Sequence, residues 1–339
     1  MSPGTQYCQK TAISRFFAKT STCSNHCDEK AISIVGGMAV PVAIQGNCSY
    51  SIFAGQNLEY VFQFRLSTLP LSISTLHQAR KVHGSLVPEV WTYGQLEDLH
   101  VYAMPRIQGV SYLDFVLADK YPRTSHQSIS FRSQLMADIG RFFACSWKAP
   151  QRVSPDFRSK LRAEYIRDLE SLLHSLPCRF ENIIQRCLDS IDAILALPAV
   201  LLHRDFSTAN LIVSEKTCQL KGVLDWGEAG IGIFGMNLHF LQTFMCVLEL
   251  PRGWQPHDDY QEMQETFWRI LKQEVRDLQP ETIENIKLAS SMGLLLYRGF
   301  TRRLAGMPNP TPVGGDAEGL YSLLYLDAFL LRPESRICN

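Results

Sequence analysis

The chain has 339 residues, enough for two lobes with real cores. Apolar residues make up 46% and charged residues 19%, an ordinary globular composition. Lys plus Arg equals Asp plus Glu at 33 each, so no net charge argues for nucleic acid or an anionic membrane surface as a partner. The longest apolar stretches, near Ile32–Ile44 and Leu288–Tyr297, are short and broken by Gly, Pro or Ser, and neither can span a bilayer. Ten scattered cysteines without a signal-peptide pattern read as reduced thiols in a cytoplasmic protein.

In chain order, residues 1–27 hold Lys10, Arg15 and Lys19 but no acid, which hints at a targeting peptide. A helix carrying Ile13, Phe16 and Phe17 is the competing reading, and cytoplasm is retained. Cys23, His26 and Cys27 form the one tight Cys/His cluster, with Cys8 alone as a fourth ligand, so a lightly packed segment is expected rather than zinc. Residues 1–30 are therefore set apart as an N-terminal extension or helix.

Residues 31–106 read as a small β-rich lobe. Gly46–Phe53 and Glu59–Arg65 alternate polar with apolar residues about a turn at Gly55–Leu58, a β-hairpin pattern. Thr75–Val82 has a helical stripe of Leu76, Ala79 and Val82, and His100–Met104 reads as a strand. Residues 107–339 read as a larger, mostly helical lobe. Phe131, Leu135, Ile139, Phe142 and Phe143 recur at helical spacing as core positions. Further helices are expected over Asp156–His174, Arg179–Leu195, Tyr260–Leu278, Pro280–Arg303 and Ala317–Leu331, with a loop at Pro308–Gly315.

The most informative stretch lies inside that lobe. His203-Arg204-Asp205-Phe206-Ser207-Thr208-Ala209-Asn210 is followed fifteen positions later by Asp225, which ends the apolar run Gly222-Val223-Leu224. Phosphoryl transfer needs this set: one carboxylate to orient the attacking hydroxyl, and an amide with a second carboxylate to hold Mg²⁺. Val200–Leu202 and Leu211–Val213 read as flanking strands that bring Asp225 back beside Asn210.

These residues, with Asp225-Trp226-Gly227-Glu228-Ala229, resemble the aminoglycoside phosphotransferase and choline kinase group. The stretch Gly230–Leu238 resembles the segment that follows in many fungal members, which suggests specialised metabolism. The resemblance runs from about Val40 to about Leu250. It implies an α+β, bilobal protein-kinase-like fold and ATP- and Mg²⁺-dependent transfer to a hydroxyl of a small-molecule metabolite. It implies Asp205 as the catalytic carboxylate that accepts the hydroxyl proton, His203 as a brace of the catalytic loop, and Asn210 and Asp225 as metal ligands. The backbone from Gly46 to Ser51, including Ser49, would cover the phosphates, and Met104 to Gly109, with Met104 and Ile107, would form the hinge that meets the base. Oligomeric state is not implied.

The family pattern is damaged in two places, the lesser being Ile233-Phe234, where many relatives have Asp-Pro. Arg65 is the sole Lys or Arg between Lys30 and Arg80, and no Asp or Glu stands between Glu59 and Glu89. The usual strand Lys and its helix Glu are therefore missing, and Arg65 is either the phosphate-binding cation or an exposed strand-end residue. That loss keeps an alternative open: a kinase-fold protein without phosphotransfer, either a ligand-binding scaffold or an enzyme of different chemistry. From Pro251 to Asn339 twelve acids face ten bases, which disfavours a polycationic acceptor.

Overall fold

The computed structural model describes residues 7–249, 252–276, 278–301 and 309–338. The chain divides into two compact units, Pro3–Gln108 with Gly222–Gly227, and Gly109–Lys221 with Glu228–Asn339.

The first unit opens with two helices, α1 (Gln9–Phe17) and α2 (Ser24–Val35), then strands β1 (Met38–Pro41), β2 (Ser49–Gly55) and β3 (Tyr60–Leu66). Helix α3 (Ile73–His83) precedes β4 (Trp91–Leu96) and β5 (Leu99–Pro105). The strands form one antiparallel sheet in the order β1-β2-β3-β5-β4. Side chains alternate across a strand, so the register sorts the sheet into two faces. Tyr50, Ile52, Phe62, Phe64, Leu99 and Val101 are buried on one face, where Phe16, Cys27 and Ala31 of the two helices join the same core. The N-terminal segment is thus a packed helical pair, in which burial pushes the Cys27 thiol up to about 12. Helix α2 runs through position 30. The opposite face carries Ser49, Arg65 and His100 in one row and Ser51, Gln63 and Tyr102 in the next.

The second unit is mostly helical. It begins with β6 (Val110–Ser111), α4 (Tyr112–Leu117), α5 (His126–Lys148) and α6 (Pro155–Ser175). The helix expected over Arg179–Leu195 breaks at Ser190 into α7 (Glu181–Asp189) and α8 (Ile191–Ala196), because Ser190 leaves helical dihedrals at φ −100° and ψ 9°. Strands β7 (Ala199–Leu202), β8 (Leu211–Val213), β9 (Leu220–Val223) and β10 (Gly230–Ile233) follow. β7 pairs with β10, while β8 lies between β6 and β9. The chain ends through α9 (Gln242–Met245), the hairpin β11 (Cys246–Glu249) and β12 (Gly253–Pro256), α10 (Tyr260–Glu274), α11 (Pro280–Arg298) and α12 (Ala317–Leu326). Helix α11 stops at Arg298, with Gly299 at its C-cap, earlier than the expected Arg303. Arg302, Arg303 and Pro308 lie outside the described residues.

The core of this unit is aromatic. Phe142 and Phe143 of α5 meet Phe206, and Phe143 also meets Phe234 and Phe267 of α10. A buried ion pair, Arg132 to Asp259 at 2.8 Å, ties α5 to the residue that caps α10. Breaking one partner of such a pair leaves a buried charge and is strongly destabilising.

Candidate active site

The acid loop is built outward from buried strand β7, whose four residues are all buried. His203 follows at 1% exposure, and its Nδ1 accepts the Asp205 backbone N–H at 3.3 Å. Its tautomer is therefore set with the proton on Nε2, and it braces the loop. Arg204 adopts φ 64°, a left-handed conformation unfavourable for a non-glycine residue. Its guanidinium offsets that cost by donating to Ile231 O of β10 at 3.2 Å. Phe206 is fully buried between Phe142, Phe143 and Phe244 and anchors the loop. The turn closes with Ser207 N–H to Asp205 O at 2.9 Å and Asn210 N–H to Ser207 O at 3.0 Å.

Asn210 Nδ2 then donates to both Asp205 O and Asp205 Oδ2, each at 2.9 Å. This pair of bonds settles which way the Asn210 amide points. It leaves Asn210 Oδ1 and Asp205 Oδ1 outside the pair. The structure thus brings Asp205, Asn210 and His203 into one hydrogen-bonded loop.

The other candidate residues belong to the strand unit. Arg65 is buried at 8% exposure, which rules out an exposed strand-end role. Its Nε donates to Leu69 O at 3.0 Å and its Nη1 to Gln63 Oε1 at 3.3 Å, both uncharged acceptors. A buried cation held only by neutral groups has unspent capacity for an anion. Asp225 turns off β9 with φ 57°, a conformation Asp tolerates better than most residues. Trp226 locks this turn: it is buried, donates Nε1–H to Val223 O at 2.9 Å, and lies 5.4 Å from the His83 ring of α3. Between them sits Gly227. A Cβ there would lie 3.2 Å from Arg65 Nη2 and 3.3 Å from Asp225 Oδ1, so cation and carboxylate flank one bare backbone position.

Gly46 is exposed in the loop before β2, and Ser49 is buried at the start of that strand, opposite Arg65. The loop is shaped by Gln45 rather than by glycines. Gln45 Oε1 accepts Ser51 N–H at 2.9 Å, and its Nε2 donates to Ser51 O at 2.8 Å and Val42 O at 3.0 Å. Met104 is half-buried in β5 opposite Val61, and Ile107 packs where a side chain on Gly222 would collide with it. Sequence reasoning missed Phe206, Trp226, Gly227 and Gln45. The apolar Phe and Trp within otherwise polar loops were the available signals; Gln45 offered none.

Among the described residues no trio of His, Cys, Asp and Glu is clustered for a metal ion. Magnesium does not need one, since it takes one or two protein oxygens alongside substrate phosphates and water.

Residues 60–280 match the family model described as phosphotransferase enzyme family, known as APH. The chain belongs to that family. No curated protein matches it. Among solved structures it is similar to a putative aminoglycoside phosphotransferase from Ralstonia eutropha, at 11% identity over 89% of this chain and 96% of that one, with a TM-score of 0.54. It is similar to a choline/ethanolamine kinase family protein from Mesorhizobium loti, at 14% identity over 81% and 84%, TM-score 0.51. A glucosamine kinase in complex with glucosamine, ADP and inorganic phosphate aligns at 14% identity over 77% and 71%, TM-score 0.52. These likenesses establish the protein-kinase-like α+β fold, with a β-sheet N-terminal region and a helical C-terminal region.

Proposed function

We propose that this phosphotransferase moves the γ-phosphoryl group of ATP to a hydroxyl of a small-molecule metabolite, with Mg²⁺ as cofactor. Asp205 accepts a hydrogen bond from the acceptor hydroxyl and takes its proton late, as the new O–P bond forms and the bond to the ADP leaving oxygen breaks. The observation that carries this reading is the Asn210–Asp205 hydrogen-bond pair, which orients the carboxylate and leaves an amide oxygen for a cation. Asn210 and Asp225 would hold the metal, which when bound neutralises charge on the phosphate oxygens. Arg65 binds the phosphates in place of the missing Lys, because its buried guanidinium is held by neutral acceptors alone. The loop from Gly46 through Ser49 covers those phosphates, and the backbone from Met104 to Ile107 meets the base. His203 contributes by holding the loop rather than by touching substrate. Ten free cysteines support a reducing compartment such as the cytoplasm. Among the described residues no helix is long and apolar enough to cross a membrane.

The test is ATP consumption by the whole chain, with and without Mg²⁺, across a panel of hydroxylated metabolites, beside Asp205→Asn. Metal-dependent turnover with one acceptor, abolished in the variant while ATP binding persists, is expected. Turnover unchanged in Asp205→Asn removes Asp205 from its role. Stabilisation by ATP with no consumption on any acceptor would favour a nucleotide-binding scaffold, and activity without nucleotide would favour different chemistry.

A further inference from the structure

The apolar face of the five-stranded sheet is left open at one end. Beside the last turn of α2 lies a cavity of about 470 Å³, walled by Tyr60, Trp91 and Tyr93, with Ile34, Val35 and Glu59 completing its rim. That volume is in the range of small-molecule sites. It belongs wholly to the strand unit and opens on the face opposite Gln63 and Arg65.

Its walls come from the register. Trp91 pairs with Ala103 and Ala103 with Phe62, so Trp91 shares a face with Phe62 and, two residues along β3, with Tyr60. The Tyr60 and Trp91 rings are 6.2 Å apart at 60°, a corner rather than a stack. β4 loses register between Thr92 and Gln95, and Tyr93, within that irregularity, stands 6.2 Å from the Phe62 ring with 41% of its surface exposed. Three aromatic side chains bordering a solvent-filled space are a poor way to finish a core. They are a good way to receive a positive charge, because a ring face carries the negative part of its quadrupole.

Two further features have the same sign. Glu59 is one of the rim residues, and among the described residues no Lys or Arg lines the cavity. Helix α2 ends at Val35 with no basic residue in its last turn, so the partial negative charge of its C-terminal end is uncompensated where Ile34 and Val35 meet the cavity. An anion would meet repulsion from both, and a neutral ligand would gain nothing from either.

We infer that this cavity binds a small organic monocation, a quaternary or methylated ammonium, at a site separate from the phosphoryl-transfer residues. The inference stands whether or not the protein is an ATP-dependent kinase, and its test uses no nucleotide. Calorimetric titration of the full chain with benzyltrimethylammonium and tetramethylammonium is the direct measurement, with neopentyl alcohol as a neutral comparison of similar shape. Three variants are read alongside. Tyr93→Leu alters an exposed ring, Trp91→Phe keeps the packing but weakens the π-face, and Glu59→Gln keeps an acceptor for the Asn57 N–H, which the Glu59 carboxylate now binds at 2.9 Å. Saturable binding of the cations is expected, with Tyr93→Leu and Glu59→Gln each weakening it by about tenfold at unchanged thermal unfolding. Trp91→Phe should weaken it by a smaller factor. Equal affinity for the neutral alcohol, indifference to both Tyr93→Leu and Glu59→Gln, or no saturation by about 10 mM would overturn the inference.

Discussion

The acid loop and the cation strand solve the placement of a charged group in opposite ways. Asp205 sits in a loop that satisfies itself: His203, Asn210 and the backbone of Ser207 all bond within it, and Phe206 bolts it to the aromatic core. Arg65 sits on a regular strand, buried, and is held by one carbonyl and one side-chain amide. A preorganised carboxylate contributes most where charge develops in the transition state, whereas a cation held by neutral groups contributes mainly to binding an anion. The two regions should therefore fail differently when altered: the loop in kcat, the strand in nucleotide KM.

The largest effect should come from Asp205→Asn. The loop keeps its main-chain bonds, including Asn210 Nδ2 to the carbonyl of residue 205, so the fold should survive. Turnover should fall by about 10³-fold or more, since proton transfer and acceptor positioning are lost together. ATP affinity measured by titration should change little. A variant that loses ATP binding in parallel with turnover would erase the contrast between the regions.

The units should also differ in their response to acid. His239 and His257 both lie in the helical unit, and burial depresses them to about 3 and about 4 respectively, aided by Arg298 near His239 and Arg132 near His257. Their ordinary value is 6.5, so between there and the folded values the unfolded chain takes up protons that the folded chain refuses. Stability is then full above that value and is lost as pH falls, by up to about 1.4 kcal/mol per pH unit for each histidine. Urea titrations from neutral pH to about pH 5 should show a loss on the order of 3 kcal/mol. Amide exchange should quicken in α10 and β7 before it does in β3 and β5. A flat profile, or one in which the sheet opens first, contradicts the assignment.

What could be read in the amino-acid order follows the same division. The acid loop was legible because its chemistry is carried by residue types at fixed local spacing, and because short apolar runs flank it. The helices were legible wherever an apolar stripe recurs, as on α5, and their ends were not, since Ser190 breaks a helix through backbone dihedrals that the stripe does not encode. Arg65 was ambiguous because burial of a strand-end residue depends on what packs over it. Gln45 was invisible because its two-way clamp on Ser51 needs a loop geometry that no pattern announces.

For Arg65 the contrast predicts a binding defect. Arg65→Met fills similar space and removes the charge, and nucleotide KM should rise by about ten- to a hundredfold with a smaller change in kcat. Arg65→Lys should recover part of this loss, because an ammonium meets phosphate oxygens as a point charge without the planar fork. Equal kinetics for wild type and Arg65→Met would leave Arg65 as a structural residue and return the phosphate role to a group elsewhere.

The smallest expected effect is the sharpest on geometry. Gly227 separates Arg65 Nη2 from Asp225 Oδ1, and a methyl group there would stand 3.2 Å and 3.3 Å from them. Both neighbours are the ends of flexible side chains, so Gly227→Ala should fold normally, and its thermal midpoint should stay within about 2 °C of wild type. Each end group must nonetheless give by a few tenths of an ångström. If Arg65 and Asp225 serve phosphate and metal together, that shift should raise nucleotide KM and the Mg²⁺ requirement by a similar factor, about three- to tenfold. If the two act separately, the two constants should move independently, and the single spacing across Gly227 would be a feature of packing alone.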